Sequence, residues 1–186
     1  MIVGVTGTSV AFERLVDALA EYARLNAPER VWVQHGEARL RPPLEGERFV
    51  ARDELIKKMR EADAVVCHGG SGTLFDALSV GHLPVVVPRR HRLGEHINDH
   101  QLELGQALQE QGRAVVVDDL STLGIAIARA MRSKHAPRSD MPPQLCASLR
   151  ADAARLAGSR QRPGIIWAAL QVLTAFVPRR LSSDSD

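Results

Sequence analysis

Six consecutive residues, His68-Gly69-Gly70-Ser71-Gly72-Thr73, have the composition of an anion cradle. Three glycines let a backbone approach a ligand closely, and the two hydroxyls stand where helix caps are found. The apolar run Ala64 to Cys67 precedes them and reads as a buried strand. A helical pattern opens at about Ser71, with Leu74, Ala77 and Leu78 facing a sheet and Gly81 placed to close the helix in the left-handed conformation. The first turn of such a helix offers unpaired N–H groups and the positive end of its dipole, so a phosphate-bearing ligand is the natural guest. The same residues could instead form a tight strand-to-helix turn with no guest.

Other polar groups follow apolar runs elsewhere. Thr6-Gly7-Thr8-Ser9 is a second small, hydroxyl-rich turn, and His35-Gly36 ends another run. Downstream, Glu95-His96 and Asp99-His100-Gln101 gather carboxylate, imidazole and amide groups. His96 and His100 lie four apart with Asp99 beside them, a spacing that can hold zinc, yet only His91 is near as a third ligand. Substrate hydrogen bonding or helix capping accounts for them better, and neither a metal nor another cofactor is expected. Arg89, Arg90 and Arg92 form either a solvated basic loop or, through Arg89, a phosphate contact. Cys67 and Trp32 read as core.

Composition narrows the classes. The 186 residues suffice for one domain with a real core and an appendage. Hydrophobic content of 45% and charged content of 25% exclude a disordered chain. A formal charge of +2, with Arg and Glu interspersed and aromatics at 4%, gives no support to nucleic-acid binding. Cys67 and Cys146 supply no disulfide framework, and Met1 to Val5 leads into a strand without the basic segment and cleavage site of a secretion signal. A cytoplasmic protein is expected.

These turns need elements that hold them at one edge. Strands are predicted at Ile2 to Val5, Val31 to Gln34, Arg48 to Ala51, Ala64 to Cys67, Leu83 to Pro88 and Ala114 to Val117. Between them, Phe12, Leu15, Val16 and Leu19 recur at helical spacing, and Asp53 caps a helix through Met59. A long helix spans Glu95 to Gln111, and Ser121 caps another ending at Met131. The alternation specifies an α/β, Rossmann-like domain with a parallel sheet over residues 1–133. Ligands of such sheets sit beyond the carboxyl ends of the strands, where all four polar turns fall. Residues 134–143 read as a Pro-rich connection, 144–180 as a helical appendage and 181–186 as a disordered tail. Gly164 to Val177 is apolar nearly all round, and its fourteen residues fall short of the ~20 needed to span a bilayer. Docking on the chain's own domain or on a partner is expected there in preference to insertion into a membrane surface.

The run His68 to Thr73, with Asp76, Gly81, Pro84, Pro88-Arg89, Gly94-Glu95-His96 and Asp99-His100-Gln101, resembles the glycosyltransferase family 28 C-terminal domain. The likeness covers about Met1 to Val117. It is greatest to small stand-alone members, like the subunit of the two-part N-acetylglucosaminyltransferase of dolichol-linked oligosaccharide synthesis that binds the donor, and its bacterial exopolysaccharide counterparts. The resemblance implies half of a GT-B glycosyltransferase, a hexosyltransferase subunit that binds a UDP-sugar. A membrane-attached partner subunit would bind a lipid-linked acceptor and bring this chain to the cytoplasmic face of the membrane. Carried over by position, Gly69, Gly70, Ser71, Gly72 and Thr73 would hold the diphosphate, with Gly7, Thr8, His68 and Arg89 as further substrate contacts. Asp76 would accept hydrogen bonds from the ribose hydroxyls, a place where related members usually carry Glu. Glu95, His96, Asp99 and Gln101 would line the sugar side, and the general base would come from the partner or from His96. Two other readings stand beside this one. The chain could be a nucleotide-sugar-binding subunit without catalysis. It could also be a nucleoside-monophosphate phosphoribohydrolase, whose PGGxGTxxE turn is similar but differs at His68 and Asp76.

Overall fold

A computed structural model of the chain describes residues 1–8 and 10–133. The chain divides into two units, Met1–Pro143 and Gln144–Asp186, and the fold below is that of the first. The expectations for residues 134–186, including the connection, the helical appendage, the apolar 164–177 segment and the tail, lie outside the described residues.

The elements in chain order are Ile2–Val5 (β1), Glu13–Leu25 (α1), Val31–Gln34 (β2), Glu45–Glu47 (β3), Arg52–Glu61 (α2) and Ala64–Cys67 (β4). Ser71–Ser79 (α3), Val85–Val86 (β5), His100–Glu110 (α4), Val115–Val116 (β6) and Leu123–Arg132 (α5) follow. The strands form one parallel sheet in the order β3-β2-β1-β4-β5-β6. This is the doubly wound, Rossmann-like arrangement that the alternation predicted.

Both faces of the sheet are covered, so the central strands are apolar at every position rather than at alternate ones. Ile2, Val33, Ala64, Val66 and Val85 pack under Leu15, Val16 and Leu19 of α1 and Ile127 of α5. Val3, Val5, Val65, Cys67 and Val86 face Leu55 and Met59 of α2, Leu74 and Ala77 of α3 and Leu108 of α4. Gly4 lets α1 come close, since a Cβ there would lie 2.7 Å from the Leu19 side chain.

Four expectations need correcting. The third strand lies at Glu45–Glu47, not Arg48 to Ala51. It is an exposed edge strand paired only with β2, so its sequence is polar, and the more apolar Phe49-Val50 belongs to the link into α2. The helix expected from Glu95 begins at His100. Gly94 adopts a left-handed φ of 69°, and side chains tie down the bends after it: Glu95 accepts from the Arg90 N–H and Asp99 from the His91 N–H. Asp53 lies in the first turn of α2 rather than capping it, because Ala51 holds the cap position. Asp119, not Ser121, supplies the capping carboxylate before α5, accepting the Ser121 N–H at 3.0 Å.

Candidate functional site

The chain leaves β1 toward β2 and β3 on one side and returns to β4 on the other. The turns after β1 and β4 therefore diverge at the carboxyl edge, the switch point beyond which ligands of open α/β sheets bind. Gly7 and His68 lie on those two turns.

The His68 imidazole fills the space between them. A Cβ at Gly7 would meet its Nε2 at 2.6 Å and one at Gly70 at 2.3 Å, so the ring lies between two glycines that no side chain could replace without displacing it. Gly7 also requires its freedom for a φ of 85°. The Nδ1 atom lies 3.3 Å from the Val5 carbonyl, which receives its proton and leaves Nε2 with a lone pair. Burial, reinforced by the nearby Arg89 guanidinium, pushes the His68 pKa down to about 4. The ring is therefore neutral at physiological pH.

Beyond it, α3 starts with Gly70 at the cap and Ser71, Gly72 and Thr73 in the first turn. No side chain caps this helix end, and Gly72 has open space around it. Ser71 and Thr73 thus lie inside the helix rather than at cap positions. The N–H groups of the first turn lack intrahelical partners, and the dipole adds to their pull on an anion. Gly69, at φ 43°, packs on Gln101, because a Cβ there would touch the Gln101 Cβ and carbonyl at 3.0 Å.

Arg89, considered as a phosphate contact, is fully buried. Its Nη2 donates to the carbonyls of Thr6 at 2.8 Å and Val10 at 2.5 Å, and Nη1 to that of Glu95 at 3.1 Å, with the guanidinium 4.8 Å from the Phe12 ring. Its own N–H reaches Gln101 Oε1 at 3.3 Å. The residue fastens the β1 turn to the loop after β5. Glu95 is held in the same way. Arg14 donates to both of its oxygens at 2.7 Å, and the Arg90 N–H at 2.9 Å. Burial alone would raise its pKa, but the Arg14 hydrogen bond and the other donors bring it below the usual value.

The remaining expected residues are spread along the same edge. His96 Nδ1 lies 3.1 Å from Asn98 Oδ1, and its carbonyl faces the His91 ring. Thr8 is exposed, and Gln101 is buried. Among the described residues no cluster of His, Cys, Asp or Glu is arranged to hold a metal. Asp76 is 5% exposed and is met by the Arg52 guanidinium, Nη2 to Oδ1 at 2.8 Å and Nε to Oδ2 at 3.1 Å. Arg14 and Arg52 were not foreseen from the sequence. No spacing rule links them to Glu95 and Asp76, which are 81 and 24 residues away.

Comparison with known proteins supports the same assignment. The Glycosyltransferase family 28 C-terminal domain matches residues 2–154. Over 87 residues the chain is 30% identical to the UDP-N-acetylglucosamine transferase subunit ALG13 of Yarrowia lipolytica, covering 47% of this chain and 42% of that protein. Over 67 residues it is 34% identical to the UDP-N-acetylglucosamine--N-acetylmuramyl-(pentapeptide) pyrophosphoryl-undecaprenol N-acetylglucosamine transferase of Rubrobacter xylanophilus, covering 36% of this chain and 19% of that one. The chain thus matches less than half the length of these curated relatives. Among solved structures, the glycotransferase of kitacinnamycin shares the fold with a TM-score of 0.52 at 19% identity, covering 95% of this chain and 43% of that one. With the glycine-rich turn at the switch point of a parallel sheet and the family match across most of its length, the chain belongs to glycosyltransferase family 28, as a C-terminal-type domain with the Rossmann fold of a GT-B enzyme half.

Proposed function

We propose that this chain is the nucleotide-sugar-binding subunit of a two-part glycosyltransferase. It holds a UDP-sugar at the β1/β4 crevice and takes part in hexosyl transfer only together with a partner that binds the acceptor. The observation that carries the reading is the uncapped start of α3 at Gly70 to Thr73, opening beside the neutral His68 at the switch point. A diphosphate placed there would meet N–H donors with no acidic residue in the helix's first turn, and the buried Arg89 would add a positive field. The same donors would stabilise the departing diphosphate during transfer. The names of the relatives, UDP-N-acetylglucosamine transferases in both organisms, favour uridine and an N-acetylhexosamine. Membership in this family also weighs against the phosphoribohydrolase reading.

The acceptor would be lipid-linked and the partner membrane-attached, which places this chain at the cytoplasmic face of a membrane. No helix among the described residues is long and apolar enough to cross one. Isothermal calorimetry with UDP, UDP-N-acetylglucosamine and nucleoside monophosphates, all in EDTA, tests the binding step. Heat with the UDP ligands is expected, and binding of monophosphates alone would sink the proposal.

A further inference from the structure

Gln34 ends β2 and is only 5% exposed. Its carbonyl accepts from the Thr6 N–H at 3.1 Å and from the Thr6 hydroxyl at 3.2 Å. Its side-chain amide has no hydrogen bond among the described residues. Nor is that amide sealed in. The buried side-chain atoms without a partner among the described residues are Arg89 Nε and Gln111 Oε1, so the little surface that Gln34 keeps includes its amide oxygen and nitrogen. An amide withdrawn from water without a hydrogen bond costs free energy, and an apolar residue would fill the same place at no such cost.

The sheet shows where this amide stands. Side chains alternate along β2, with Val31 and Val33 on the α1 side and Trp32 on the side of α2 and α3. Gln34 therefore shares the face of Trp32, and also that of Val5 and Cys67, its counterparts across the ladder on β1 and β4. Leu74 and Ala77 of α3 pack on this same face, and α3 starts at the carboxyl edge where Gln34 ends its strand. Only β1 separates β2 from β4. Along that edge the amide is thus about 10 Å from the end of β4, twice the spacing of neighbouring strands. The nucleoside arm of a ligand whose diphosphate sits at the start of α3 can cover that distance.

We infer that Gln34 reads the base of the bound nucleotide, its amide pairing with the edge of a pyrimidine. This rests on the UDP-sugar reading above and adds to it the residue that determines which base the site takes. A primary amide presents an acceptor and a donor side by side. The lactam edge of uracil answers with its N3–H and the adjacent carbonyl oxygen. The acetamido group of an N-acetylhexosamine does not, because in a trans amide the N–H and C=O point to opposite sides and one primary amide cannot pair with both.

Isothermal calorimetry on the wild-type chain, Gln34→Met and Gln34→Glu tests the inference with four ligands: UDP, CDP, UDP-N-acetylglucosamine and ribose 5-diphosphate, which has no base. Gln34→Met keeps the length of the side chain and removes both hydrogen bonds. It should weaken UDP by about tenfold or more, the worth of one or two neutral hydrogen bonds, and leave ribose 5-diphosphate within about twofold of wild type. Gln34→Glu keeps acceptors only, and a carboxylate accepts from the exocyclic amino group of cytosine. It should shift the ratio of UDP to CDP affinity toward CDP by about tenfold. A side chain that merely supported the fold would weaken all four ligands alike and leave that ratio unmoved, and this result overturns the inference. Wild-type affinity of Gln34→Met for UDP overturns it too. So does a loss greater for UDP-N-acetylglucosamine than for UDP, which would put the amide on the sugar. If Gln34→Glu does not fold, the comparison of UDP with ribose 5-diphosphate in Gln34→Met decides alone. Each of these outcomes leaves the donor reading intact as long as the wild type binds UDP. If it binds none of the four, both readings fall together.

Discussion

His68 couples the chemistry of the crevice to the stability of the fold. Its folded pKa of about 4 lies below the 6.5 of an ordinary histidine, so between those values the unfolded chain binds a proton that the folded chain does not. Its contribution is therefore fully present above pH 6.5 and is lost as the pH falls toward 4. At pH 5 the loss amounts to about 2 kcal/mol. Urea unfolding at pH 7 and pH 5 should show this drop in the wild type and a much smaller one in His68→Gln, which carries no titrating ring. An equal drop in both proteins would remove His68 as its source. The glycine beside the ring gives a second residue-level test. Gly70 has an ordinary φ of −70°, so backbone strain plays no part in Gly70→Ala, and only the clash of the added Cβ with His68 Nε2 matters. Overpacking of this kind typically costs about 1–3 kcal/mol. The displaced ring should also lower UDP affinity, and a variant with wild-type stability and affinity would show that the ring moves aside freely.

At the scale of elements, the crevice depends on loops that helices hold in place. The loop after β5 is fastened to the start of α1 by Arg14 on Glu95, and to the β1 turn by Arg89 on the Thr6 and Val10 carbonyls. Arg14→Ala removes two charge-assisted hydrogen bonds from a carboxylate whose side chain is only 12% exposed, and a third donated to the Pro88 carbonyl at 2.9 Å. It should destabilise the protein by about 1–3 kcal/mol, read from the urea midpoint, because Glu95 keeps its other donor but loses its cation. A midpoint unchanged from wild type would mean that the pair is not needed to hold the loop.

The runs of β1, β2 and β4 were legible because strands covered on both faces are apolar at nearly every position, Gln34 at the end of β2 excepted. The turn between β4 and α3 was legible because its glycines are adjacent in the chain. Glu45–Glu47 was not, since an exposed edge strand needs no apolar residues and Glu-Gly-Glu carries no strand pattern. The start of α4 was also hidden. Glu95 to Asp99 are compatible with a helix by residue type, and only the left-handed Gly94 and the tertiary grip on Glu95 keep them out of it. The same explanation covers the partners of Asp76 and Glu95: local spacing reports which residues share an element, not which distant cation folds onto them.

On the scale of the whole molecule, the described residues form one sheet whose carboxyl edge carries the crevice, and they wall it with loops from that sheet alone. Sugar transfer requires an acceptor hydroxyl aligned with the sugar carbon and water kept away from both. In the proposed reading, donor binding draws on the turns after β1 and β4 and the start of α3. Alignment and exclusion of water need a second wall facing them. Two exposed apolar side chains on the loop after β5, Leu93 at 54% and Ile97 at 82%, suit a protein surface laid over that loop. On the two-part reading proposed above, the purified chain is expected to bind UDP-N-acetylglucosamine without transferring its sugar. Adding membranes that contain the acceptor-binding partner and a lipid-linked acceptor should start transfer, and Leu93→Asp with Ile97→Asp should abolish it while leaving UDP binding within about twofold of wild type. Radiolabelled sugar incorporated into lipid extract is the readout. Sustained transfer by the purified chain on its own would show that the partner is dispensable. Full transfer by the double variant would instead move the interface away from this rim.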